Sequence, residues 1–446
     1  MTVCVLGLGQ IGLPLALLIA KNRRVIGVDI DESRVEALND GTTPVDEPDV
    51  DALHEEVAHR FVARTSVPSS GSVSADASDA ASGQRADVDS YIIVTPTPLS
   101  DETGVADLRY VREATETVAG ELAADDLVVT MSTVPPGTAE RLVIPTLQNS
   151  ELGADDFRFA HCPERAIPGR TIHEMVHNDR IVGAKDSASA RAARDLFDFV
   201  DGDIYTTDPK TAEFVKLIEN TYRDINIAAA NQFAKLADGN DIDCRKAIQL
   251  ANKHPRVDIL SPGPGVGGHC LPIDPQFLMQ GATDARLITT ARDINESMAG
   301  YSLNLVRRLV PDATATRISV LGVAYKGNVA DTRKTPALQF YQLAHNEGYD
   351  IRLHDPHVER FVHDLESFES AISGSDCLVI LADHDEYLDL DVERIGSMMR
   401  TRNLVDTRGM VRPDRWRDGG FTVQILGDGT RESLDTEAKQ VSTPTE

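Results

Sequence analysis

One short glycine-rich segment carries the residues with the clearest potential for covalent chemistry. In PGPGVGGHCLPIDP, residues 262–275, Cys270 follows His269 and stands four residues before Asp274. A thiol becomes nucleophilic when cations or backbone amides stabilise its thiolate, and a loop of glycines can turn amides towards it. A cysteine in such a loop can equally be a small residue packed in a tight turn. Taken alone, the segment leaves both interpretations open.

Two adjacent histidine–cysteine pairs raise the question of a metal centre. They are His161 with Cys162 and His269 with Cys270. Side chains of neighbouring residues rarely both reach one ion, and the five cysteines are widely scattered. We therefore predict no metal site.

Lys216 and Asn220 stand four residues apart in a segment with helical periodicity. Residues 211–238 contain neither glycine nor proline, and apolar side chains recur at helical spacing. Positions i and i+4 share one face of a helix, so an ammonium and an amide would point the same way. Taken alone, a solvated lysine beside a neutral residue is the plainer interpretation of this pair.

Two further polar residues follow apolar segments that read as strands. Thr133 lies in STVPPGT, and Glu164 lies in CPERAIPGR. Ligands bind beyond the carboxyl ends of strands in open α/β sheets, so both residues are predicted to line a cleft. There Glu164 can act as an acid or base, or it can form an ion pair with Arg165.

The first 29 residues contain the pattern of a dinucleotide site. GLGQIG lies between an apolar strand and a helix, and Asp29 ends the next strand. The glycines permit a tight turn and a close approach of the pyrophosphate, while the aspartate can bind ribose hydroxyls. A carboxylate repels a 2′-phosphate, so we predict NAD, although Arg34 is near enough to weaken that preference. The predicted cofactor contacts are Gly7, Gly9, Gln10, Ile11, Gly12, Asp29 and Arg34.

The composition limits the possible partners. The chain has 446 residues and a net charge of −27, from 71 acidic against 44 basic side chains. Phosphates would be repelled over most of this surface, so nucleic-acid binding is disfavoured. Such acidity is typical of proteins from salt-loving organisms, with specific cationic partners as the alternative. No apolar run is long enough to span a membrane, and unpaired cysteines favour the cytoplasm.

The order of strands and helices predicts an α/β fold. Strands and helices alternate at both ends of the chain, which indicates parallel sheets. We predict two Rossmann-like, doubly wound parallel-sheet domains joined by a helical domain with a long central helix. The predicted boundaries are 1–205 for the NAD-binding domain, 206–305 for the helical, dimer-forming domain, 315–426 for the second α/β domain, and 427–446 for a disordered tail. The serine-rich residues 68–88 are predicted to be a poorly packed or flexible insertion.

Seven motifs resemble the UDP-glucose/GDP-mannose dehydrogenase family, in the order in which that family has them. They are GLGQIGLPLA, PTP, STVPPGT, PER, KLIENTYRDINIA, GPGVGGHC and GVAYKGNVADTR. The segments HCPERAIPGR and ANKHPRVDILSPGPGVGGHCLPIDP are most similar to members that act on UDP-N-acetyl-D-mannosamine. The resemblance therefore implies an NAD-dependent dehydrogenase of a UDP-N-acetylhexosamine. Gly327 departs from it, since proline is usual after the lysine of AYK.

The resemblance implies two successive oxidations at C6 of the sugar, from alcohol to carboxylate, with two NAD+ per turnover. Cys270 would attack the intermediate aldehyde to form a thiohemiacetal, and oxidation of this adduct would leave a thioester for water to hydrolyse. Lys216 and Asn220 would stabilise the oxyanion that develops at C6.

The resemblance also implies roles for the remaining site residues. Asp274 and Thr133 would orient or deprotonate the water, Glu164 would assist proton transfer, and Thr97 and Thr133 would contact the cofactor. Lys326 and Arg333 would hold the UDP part. The implied substrate contacts are Glu164, Arg165, Lys216, Asn220, His254, Arg256, Gly267, Gly268, Lys326 and Arg333.

A homodimer is also implied, with the long helix at its interface and Arg256 of the partner subunit completing the active site. UDP-GlcNAc or UDP-glucose are alternative substrates, and a nucleotide-sugar binding protein without catalysis is an alternative of another class. The presence of Cys270, Lys216, Asn220 and Asp274 together favours the enzyme, because binding alone would not need them all.

Overall fold

The structure of the chain is a computed structural model. It describes residues 1–45, 47–68, 88–100, 104–150, 152–153, 155–167 and 169–429. Most of the serine-rich insertion and of the predicted tail therefore lies outside the described residues. No helix in the described ranges is both long enough and apolar enough to cross a membrane.

The chain divides into two compact units. The first unit comprises Met1–Glu219 and Gln276–Gly281, and the second comprises Asn220–Pro275 and the residues from Ala282 onwards.

The first unit is built on an eight-stranded sheet with the order β3-β2-β1-β4-β5-β6-β7-β8. Its strands are β1 (Thr2–Leu6), β2 (Arg24–Val28), β3 (Phe61–Arg64), β4 (Ser90–Ile93), β5 (Leu127–Thr130), β6 (Arg158–His161), β7 (Arg180–Ala184) and β8 (Ile204–Thr207). All neighbours are parallel except β6 and β7, which pair antiparallel. Alternate residues of β1 enter two separate apolar clusters, Val3 and Val5 one and Cys4 and Leu6 the other. The sheet is therefore buried on both faces, as parallel sheets require.

Helices cover both faces of this sheet. They are α1 (Gly12–Ala20), α2 (Glu32–Asn39), α3 (Val50–Val57), α4 (Arg109–Ala119), α5 (Ile144–Leu147, after a π-helical turn at Ala139–Val143), α6 (Thr171–His177) and α7 (Ser187–Leu196). Helices α1, α3, α6 and α7 contribute to one apolar cluster, and α4 and α5 contribute to the other. This is the doubly wound arrangement that the sequence predicted.

The long helix α8 spans Pro209–Asp238, 30 residues. The predicted helix is confirmed and begins slightly earlier, at a proline, which the first helical turn tolerates because its amides have no intrahelical partner. Asp208 accepts the amide N–H of Thr211 at 2.9 Å and so caps this end. The boundary between the two units falls within α8, so Lys216 belongs to the first unit and Asn220 to the second.

The second unit contains a five-stranded, entirely parallel sheet with the order β10-β9-β11-β12-β13. Its strands are β9 (Arg317–Leu321), β10 (Asp350–His354), β11 (Cys377–Ile380), β12 (Asn403–Asp406) and β13 (Thr422–Ile425). Its further helices are α9 (Cys244–Ala251), α10 (Asp274–Met279, which continues into the first unit), α11 (Arg286–Glu296), α12 (Met298–Leu309), α13 (Pro336–Asn346), α14 (Phe368–Ile372), α15 (Val392–Met398) and α16 (Pro413–Asp418).

A buried polar network fixes α8 against α11 in the second unit. Arg292 donates to Asp224 at 2.7 Å, and the side chains of both residues are almost fully buried. Asn295 donates to the same carboxylate at 2.8 Å and accepts from Asn231 at 2.9 Å. Asn231 in turn accepts the amide N–H of Gly263 at 2.9 Å. The network therefore links two helices to the first residues of the glycine-rich segment.

We predict that Arg292→Ala destabilises the folded chain by about 3 kcal/mol, because it leaves the Asp224 carboxylate buried without its counter-charge. Urea unfolding measures this loss. Arg286→Ala is the matched control on the same helix, since its exposed ion pair with Asp284 should contribute nothing measurable. Equal unfolding midpoints for Arg292→Ala and the unmodified chain would contradict the prediction.

Candidate active site

The glycine turn after β1 has the shape of a phosphate cradle. Gly7 has a φ of +97°, and a Cβ added there would lie 2.5 Å from the carbonyl oxygen of Val94. A Cβ on Gly12 would lie 1.8 Å from the carbonyl oxygen of Gly7, whereas one on Gly9 would meet nothing within 4 Å. Gly7 and Gly12 are thus needed for the turn itself, and Gly9 leaves open space at the start of α1. Gln10, which follows it, is exposed.

Asp29 lies where the sequence predicted, at the end of β2, and is buried. Its carboxylate accepts the amide N–H of Leu8 at 2.8 Å and that of Asp31 at 3.0 Å. Arg34 donates to the same carboxylate at 2.9 Å. The guanidinium that we expected to weaken the preference for NAD is therefore paired with Asp29. One oxygen of Asp29 accepts a single bond and keeps a lone pair for a ribose hydroxyl, so the residues fit NAD.

The loops after β4 and β5 are joined by hydroxyl hydrogen bonds. Thr97 donates to the carbonyl oxygen of Thr133 at 2.6 Å, and Ser132 donates to that of Thr95 at 2.7 Å. Two of the predicted cofactor residues, Thr97 and Thr133, are therefore in direct contact. The hydrogen bond from the Thr97 hydroxyl therefore fixes the start of the STVPPGT segment.

The side chain of Glu164, after β6, accepts three hydrogen bonds. One oxygen accepts the amide N–H groups of Arg165 and Ala166 at 2.7 and 2.8 Å, and the other accepts from the buried Arg180 at 3.4 Å. The guanidinium of Arg165 pairs with Glu219 at 2.6 Å instead. The interpretation of an ion pair between Glu164 and Arg165 is therefore wrong, and the sequence analysis missed Arg180.

Lys216 is buried on α8, with 9% of its surface exposed. Within the described part of the first unit its ammonium makes no hydrogen bond or ion pair. A buried cation without a partner is costly, so this position calls for an anionic or strongly polar group.

Glu213, one turn before Lys216 on α8, is a buried carboxylate that the sequence analysis missed. It accepts the amide N–H of Gly137 in a short hydrogen bond and that of Ala139 at 2.7 Å. These amides end the STVPPGT segment and open the helical run after it. No local pattern in the sequence indicates this contact, because Gly137 and Glu213 are 76 residues apart.

The cysteine loop belongs to the second unit. The carbonyl oxygen of Cys270 accepts the amide N–H groups of Ile273 and Asp274 at 3.0 and 2.8 Å, which closes a turn at the start of α10. The Cys270 sulfur lies 4.0 Å from Nε2 of His269, and the thiol is half-buried.

Asn220 on α8 and Asp274 in this turn are in direct contact. The side-chain amide of Asn220 donates to the Asp274 carboxylate at 2.5 Å, and both residues are buried. Since the amide of Asp274 binds the carbonyl of Cys270, one residue connects the helix to the cysteine turn. The structure therefore brings together three of the predicted catalytic residues, Cys270, Asp274 and Asn220.

Tyr325 packs beneath the cysteine loop and was missed by the sequence analysis. A Cβ on Gly267 would lie 2.5 Å from the Cβ of Tyr325, and one on Gly268 would lie 3.1 Å from its ring. Burial raises the pKa of the Tyr325 phenol, and the charges of Asp331 and Cys270 raise it further. The phenol therefore stays protonated beside the loop. The two glycines are needed because a larger residue would push the loop off this ring.

Arg333 is oriented by its neighbour Asp331. The guanidinium donates to both oxygens of that carboxylate at 2.5 to 3.0 Å, and the carbonyl oxygen of Arg333 accepts the amide N–H of Gly268 at 2.8 Å. Arg333 is thus tied to the cysteine loop through its backbone. Lys326, the other predicted cation for UDP, is exposed.

The loop after β9 explains the unusual glycine at 327. A Cβ on Gly327 would lie 2.1 Å from the carbonyl oxygen of Asp383, and its amide donates to the Asp383 carboxylate at 3.1 Å. A proline would lose that hydrogen bond as well. The next amide, of Asn328, donates to Nδ1 of the buried His384 at 2.9 Å, and Nε2 of His384 lies 3.0 Å from Asp355.

His254 and Arg256 lie together in an exposed turn after α9. The amide N–H of Arg256 donates to Nδ1 of His254 at 3.4 Å. Both side chains point to solvent in the single chain. Neither residue contacts the cysteine loop through any described hydrogen bond.

Two side-chain groupings bear on the prediction of no metal. In the described ranges, His357, His384 and Glu386 are the three neighbouring side chains that could together hold an ion. Nδ1 of His384 accepts an amide N–H and its Nε2 donates to Asp355, so neither nitrogen keeps a lone pair for a metal.

The prediction of no metal assumed that the sequence lacks HxxxH spacing, and that assumption is wrong: HEMVH, residues 173–177, is an HExxH pattern on α6. The rings of His173 and His177 stack with centroids 4.3 Å apart. Glu174 accepts the amide N–H of Ile167 at 3.1 Å. Within the described residues this pair has no third ligand close enough to complete a metal site.

All five cysteines lie in the described residues, and none forms a disulfide. Burial raises the pKa of Cys4 to about 12 and that of Cys162 to about 11. Burial likewise raises the pKa of Cys244 and of Cys377. Cys270 is the one thiol of the five that is not fully buried.

A glycine turn at a helix N-terminus and an acidic residue that ends the second strand make the first unit a dinucleotide-binding domain of the kind found in NAD-dependent dehydrogenases. Comparison with known proteins identifies the family of the chain. Residues 1–201, 210–297 and 319–413 match the NAD binding, central and UDP binding domains of the UDP-glucose/GDP-mannose dehydrogenase family.

Similar proteins share nearly the whole length of the chain. The UDP-N-acetyl-D-mannosamine dehydrogenase of Methanocaldococcus jannaschii is 39% identical over 434 residues, 96% of each chain. An NDP-N-acetyl-D-galactosaminuronic acid dehydrogenase of Ralstonia nicotianae is 36% identical over 92% of this chain and 96% of its own. The solved UDP-D-ManNAc dehydrogenase of Pyrococcus horikoshii superposes with a TM-score of 0.87 at 39% identity, covering 96% of this chain and 100% of that one.

The chain belongs to the UDP-glucose/GDP-mannose dehydrogenase family. The predictions of family, α/β fold class and NAD as cofactor are confirmed.

Glu213 yields a prediction about pH. Burial raises the pKa of this carboxyl from 4.5 to about 7, against the opposing effect of its amide hydrogen bonds. Between these two pH values the folded chain holds a proton that the unfolded chain has released, so this group makes stability fall as the pH rises. Glu213→Gln removes the ionisation. The unfolding free energy of the unmodified chain relative to this variant should therefore fall by about 2–3 kcal/mol between pH 5 and pH 8.

Urea unfolding at several pH values measures this difference. Glu116→Gln is the control, because that carboxyl is exposed on α4 and its removal should leave the pH dependence unchanged. Parallel pH profiles for the unmodified chain and Glu213→Gln would contradict the prediction.

Proposed function

We propose that this chain oxidises C6 of UDP-N-acetyl-D-mannosamine to the carboxylate, through a thioester on Cys270. The family makes it an NAD-dependent UDP-sugar dehydrogenase. The particular sugar is supported by relatives named for it, which match at 37–40% identity over nearly the whole chain. The observation that carries the proposal is the contact of Asp274 with both the Cys270 turn and Asn220.

NAD supplies the hydride acceptor for both oxidations. Gly7, Gly9 and Gly12 would admit its pyrophosphate, and Asp29 would bind a ribose hydroxyl. The loops next to these residues would supply the remaining cofactor contacts, from Gln10, Ile11, Thr97 and Thr133. Arg34 is expected to act through Asp29, because the two side chains are paired.

Cys270 would provide the nucleophile for the second oxidation. Its thiolate adds to the C6 carbonyl of the aldehyde, and the oxygen of that carbonyl becomes an alkoxide. After the second oxidation, water attacks the thioester carbon and the sulfur leaves as a thiolate, which restores the enzyme. The half-buried position of Cys270 leaves its sulfur accessible to a substrate, unlike the other four thiols.

The oxyanion needs donors that are fixed before reaction. Asn220 uses one N–H of its amide on Asp274 and keeps the second for the C6 oxygen. Lys216 would add a positive charge, and its buried ammonium lacks a partner in its own unit. Asp274, held by Asn220, would orient the hydrolytic water together with Thr133. Glu164, whose carboxyl group lies 3.4 Å from Arg180, would assist proton transfer.

The uridine and sugar would be bound mainly by the second unit. Arg333 carries its charge next to the cysteine loop and Lys326 is exposed, so both suit a diphosphate. Gly267 and Gly268 carry no side chains and so leave room at the loop for the sugar. Arg165 follows Glu164 directly and would contact the substrate beside it.

We retain the predicted domains 1–205, 206–305 and 315–426, which the three family matches support. A cytoplasmic location agrees with five cysteines that form no disulfide.

The substrate proposal is tested with purified chain, NAD+ and UDP-ManNAc, UDP-GlcNAc, UDP-GalNAc or UDP-glucose, at low and high salt. We expect the highest kcat/KM with UDP-ManNAc and two NADH formed per acid. One NADH per sugar would contradict the double oxidation. A higher kcat/KM with another sugar would replace the substrate, and no NADH with any would exclude the enzyme activity.

The same assay tests Cys270. We expect Cys270→Ala to form no acid, because no thioester can form, while its binding of NADH remains unchanged. Cys244→Ala is the control, since that thiol is buried. Acid production by Cys270→Ala at the rate of the unmodified chain would refute the covalent role.

We further propose that α8 forms a homodimer interface. In the second unit its residues Tyr222, Ile225, Ala229, Phe233 and Leu236 recur every three or four positions. Tyr222 and Leu236 are 63% and 56% exposed, and Phe233 is also exposed. Such an apolar stripe on a helix is typical of a helix-packing surface. Arg256 of the partner subunit, together with His254, would then reach the sugar from an exposed turn.

The dimer is tested by sedimentation of Leu236→Asp. We expect the unmodified chain to sediment as a dimer and this variant as a monomer, because a charge cannot be buried at an apolar interface. Leu388→Asp is the control, as it places the same charge on an exposed leucine outside α8. A dimeric Leu236→Asp chain would refute this interface.

A further inference from the structure

We infer that Glu213 is a positioning residue, which fixes the Lys216 face of α8 against the STVPPGT loop that carries Thr133. The inference deepens the proposed function and rests on it, because Lys216 and Thr133 take their roles from that reaction. All the residues concerned belong to the first unit.

One side chain of α8 holds the end of the loop from outside it. Pro135 and Pro136 lack amide hydrogens, and their rings hold the backbone in a fixed conformation. The amides that follow, of Gly137 and Ala139, both donate to the carboxylate of Glu213. The amide of Thr138, between them, donates to the carbonyl oxygen of Pro135 at 3.2 Å. A single side chain from α8 therefore accepts two of the amides at the end of the loop.

The other end of the loop is secured independently. Ser132 donates to the carbonyl oxygen of Thr95, and Thr97 donates to that of Thr133. Thr133 thus lies between two attachments, one to the loop after β4 and one to α8. Without the hydrogen bonds to Glu213, Thr133 would keep its contacts with the loop after β4. Its position relative to α8 would no longer be fixed.

The geometry of α8 connects this attachment to Lys216. Residues three apart on a helix share a face, so Glu213 and Lys216 lie on neighbouring turns of the same side. Both are buried. A shift of the loop relative to Glu213 is therefore a shift relative to the Lys216 ammonium, which is expected to act on the reacting oxygen.

Both oxygens of Glu213 act as acceptors here, one for the amide N–H of Gly137 and the other for that of Ala139. Glutamine has nearly the same shape, but one end of its amide is a donor and would face donor amides. Glu213→Gln therefore breaks the attachment with little change in volume.

The test compares Glu213→Gln with Glu140→Gln, which removes a neighbouring exposed carboxylate that holds no loop amide. We expect Glu213→Gln to lower kcat about 10- to 100-fold, with KM for the UDP-sugar and the affinity for NADH changed by less than about threefold. Glu140→Gln should keep the kcat of the unmodified chain. Equal kcat for Glu213→Gln and the unmodified chain would overturn the inference.

A double-mutant cycle separates positioning from general structural damage. If Glu213 acts through Lys216, adding Glu213→Gln to Lys216→Ala should slow the reaction by less than about twofold more. Fully additive losses would overturn the inference. Glu213→Asp, which keeps a shorter carboxylate, should have an intermediate kcat. If neither Glu213 variant folds, the residue serves stability alone and the inference fails.

Amide hydrogen exchange tests the attachment of the loop without any substrate. We expect the peptide covering residues 132–139 to exchange faster in Glu213→Gln than in Glu140→Gln, without any sugar present. Unchanged exchange would overturn the inference. If the unmodified chain oxidises no UDP-sugar but the exchange increases, the proposed function fails while the attachment of the loop by Glu213 stands.

Discussion

The loops that follow parallel strands depend on one constraint, the need of their backbone amides for acceptors. Such amides have left the sheet, yet they lie in a dry interior where an unpaired N–H is costly. Buried carboxylates from other elements meet this need repeatedly. Asp29 accepts from Leu8 in the glycine turn, Glu213 accepts from the loop after β5, and Asp355 accepts the amides of Val323 and Ala324 after β9. Hydrogen bonds to buried carboxylates therefore fix the conformation of the loops that would bind cofactor and substrate.

The acidic composition is therefore not only a property of the surface. A net charge of −27 suggests a surface property, yet several acids are internal parts of the loops. Asp355 illustrates the effect: burial opposes its ionisation, but His384 and backbone amides together lower its pKa to about 2. Some acids form an ion pair with a buried arginine, as Glu164 does with Arg180 and Asp224 does with Arg292. Lys216 stands apart from these pairs.

The features predicted from the sequence are those encoded within a few residues. The glycine turn, Asp29 and α8 could be predicted because turn, strand end and helix each have a local pattern. Strands β7 and β8 carry less regular patterns, and the sequence analysis assigned neither. Glu213 and Gly137 are 76 residues apart, so their contact depends on the tertiary fold. HEMVH is a complete local pattern, yet within the described residues no third ligand lies close enough to complete a metal site.

Burial divides the five cysteines in a way that bears on oxidative damage. Four sulfurs are enclosed and hold their protons strongly, so peroxides and alkylating reagents react with them slowly. Cys270 is accessible, and oxidation of its sulfur to a sulfinic acid cannot be reversed by ordinary thiols. The arrangement that gives the thiol access to substrate therefore also concentrates the oxidant sensitivity of the chain on one atom.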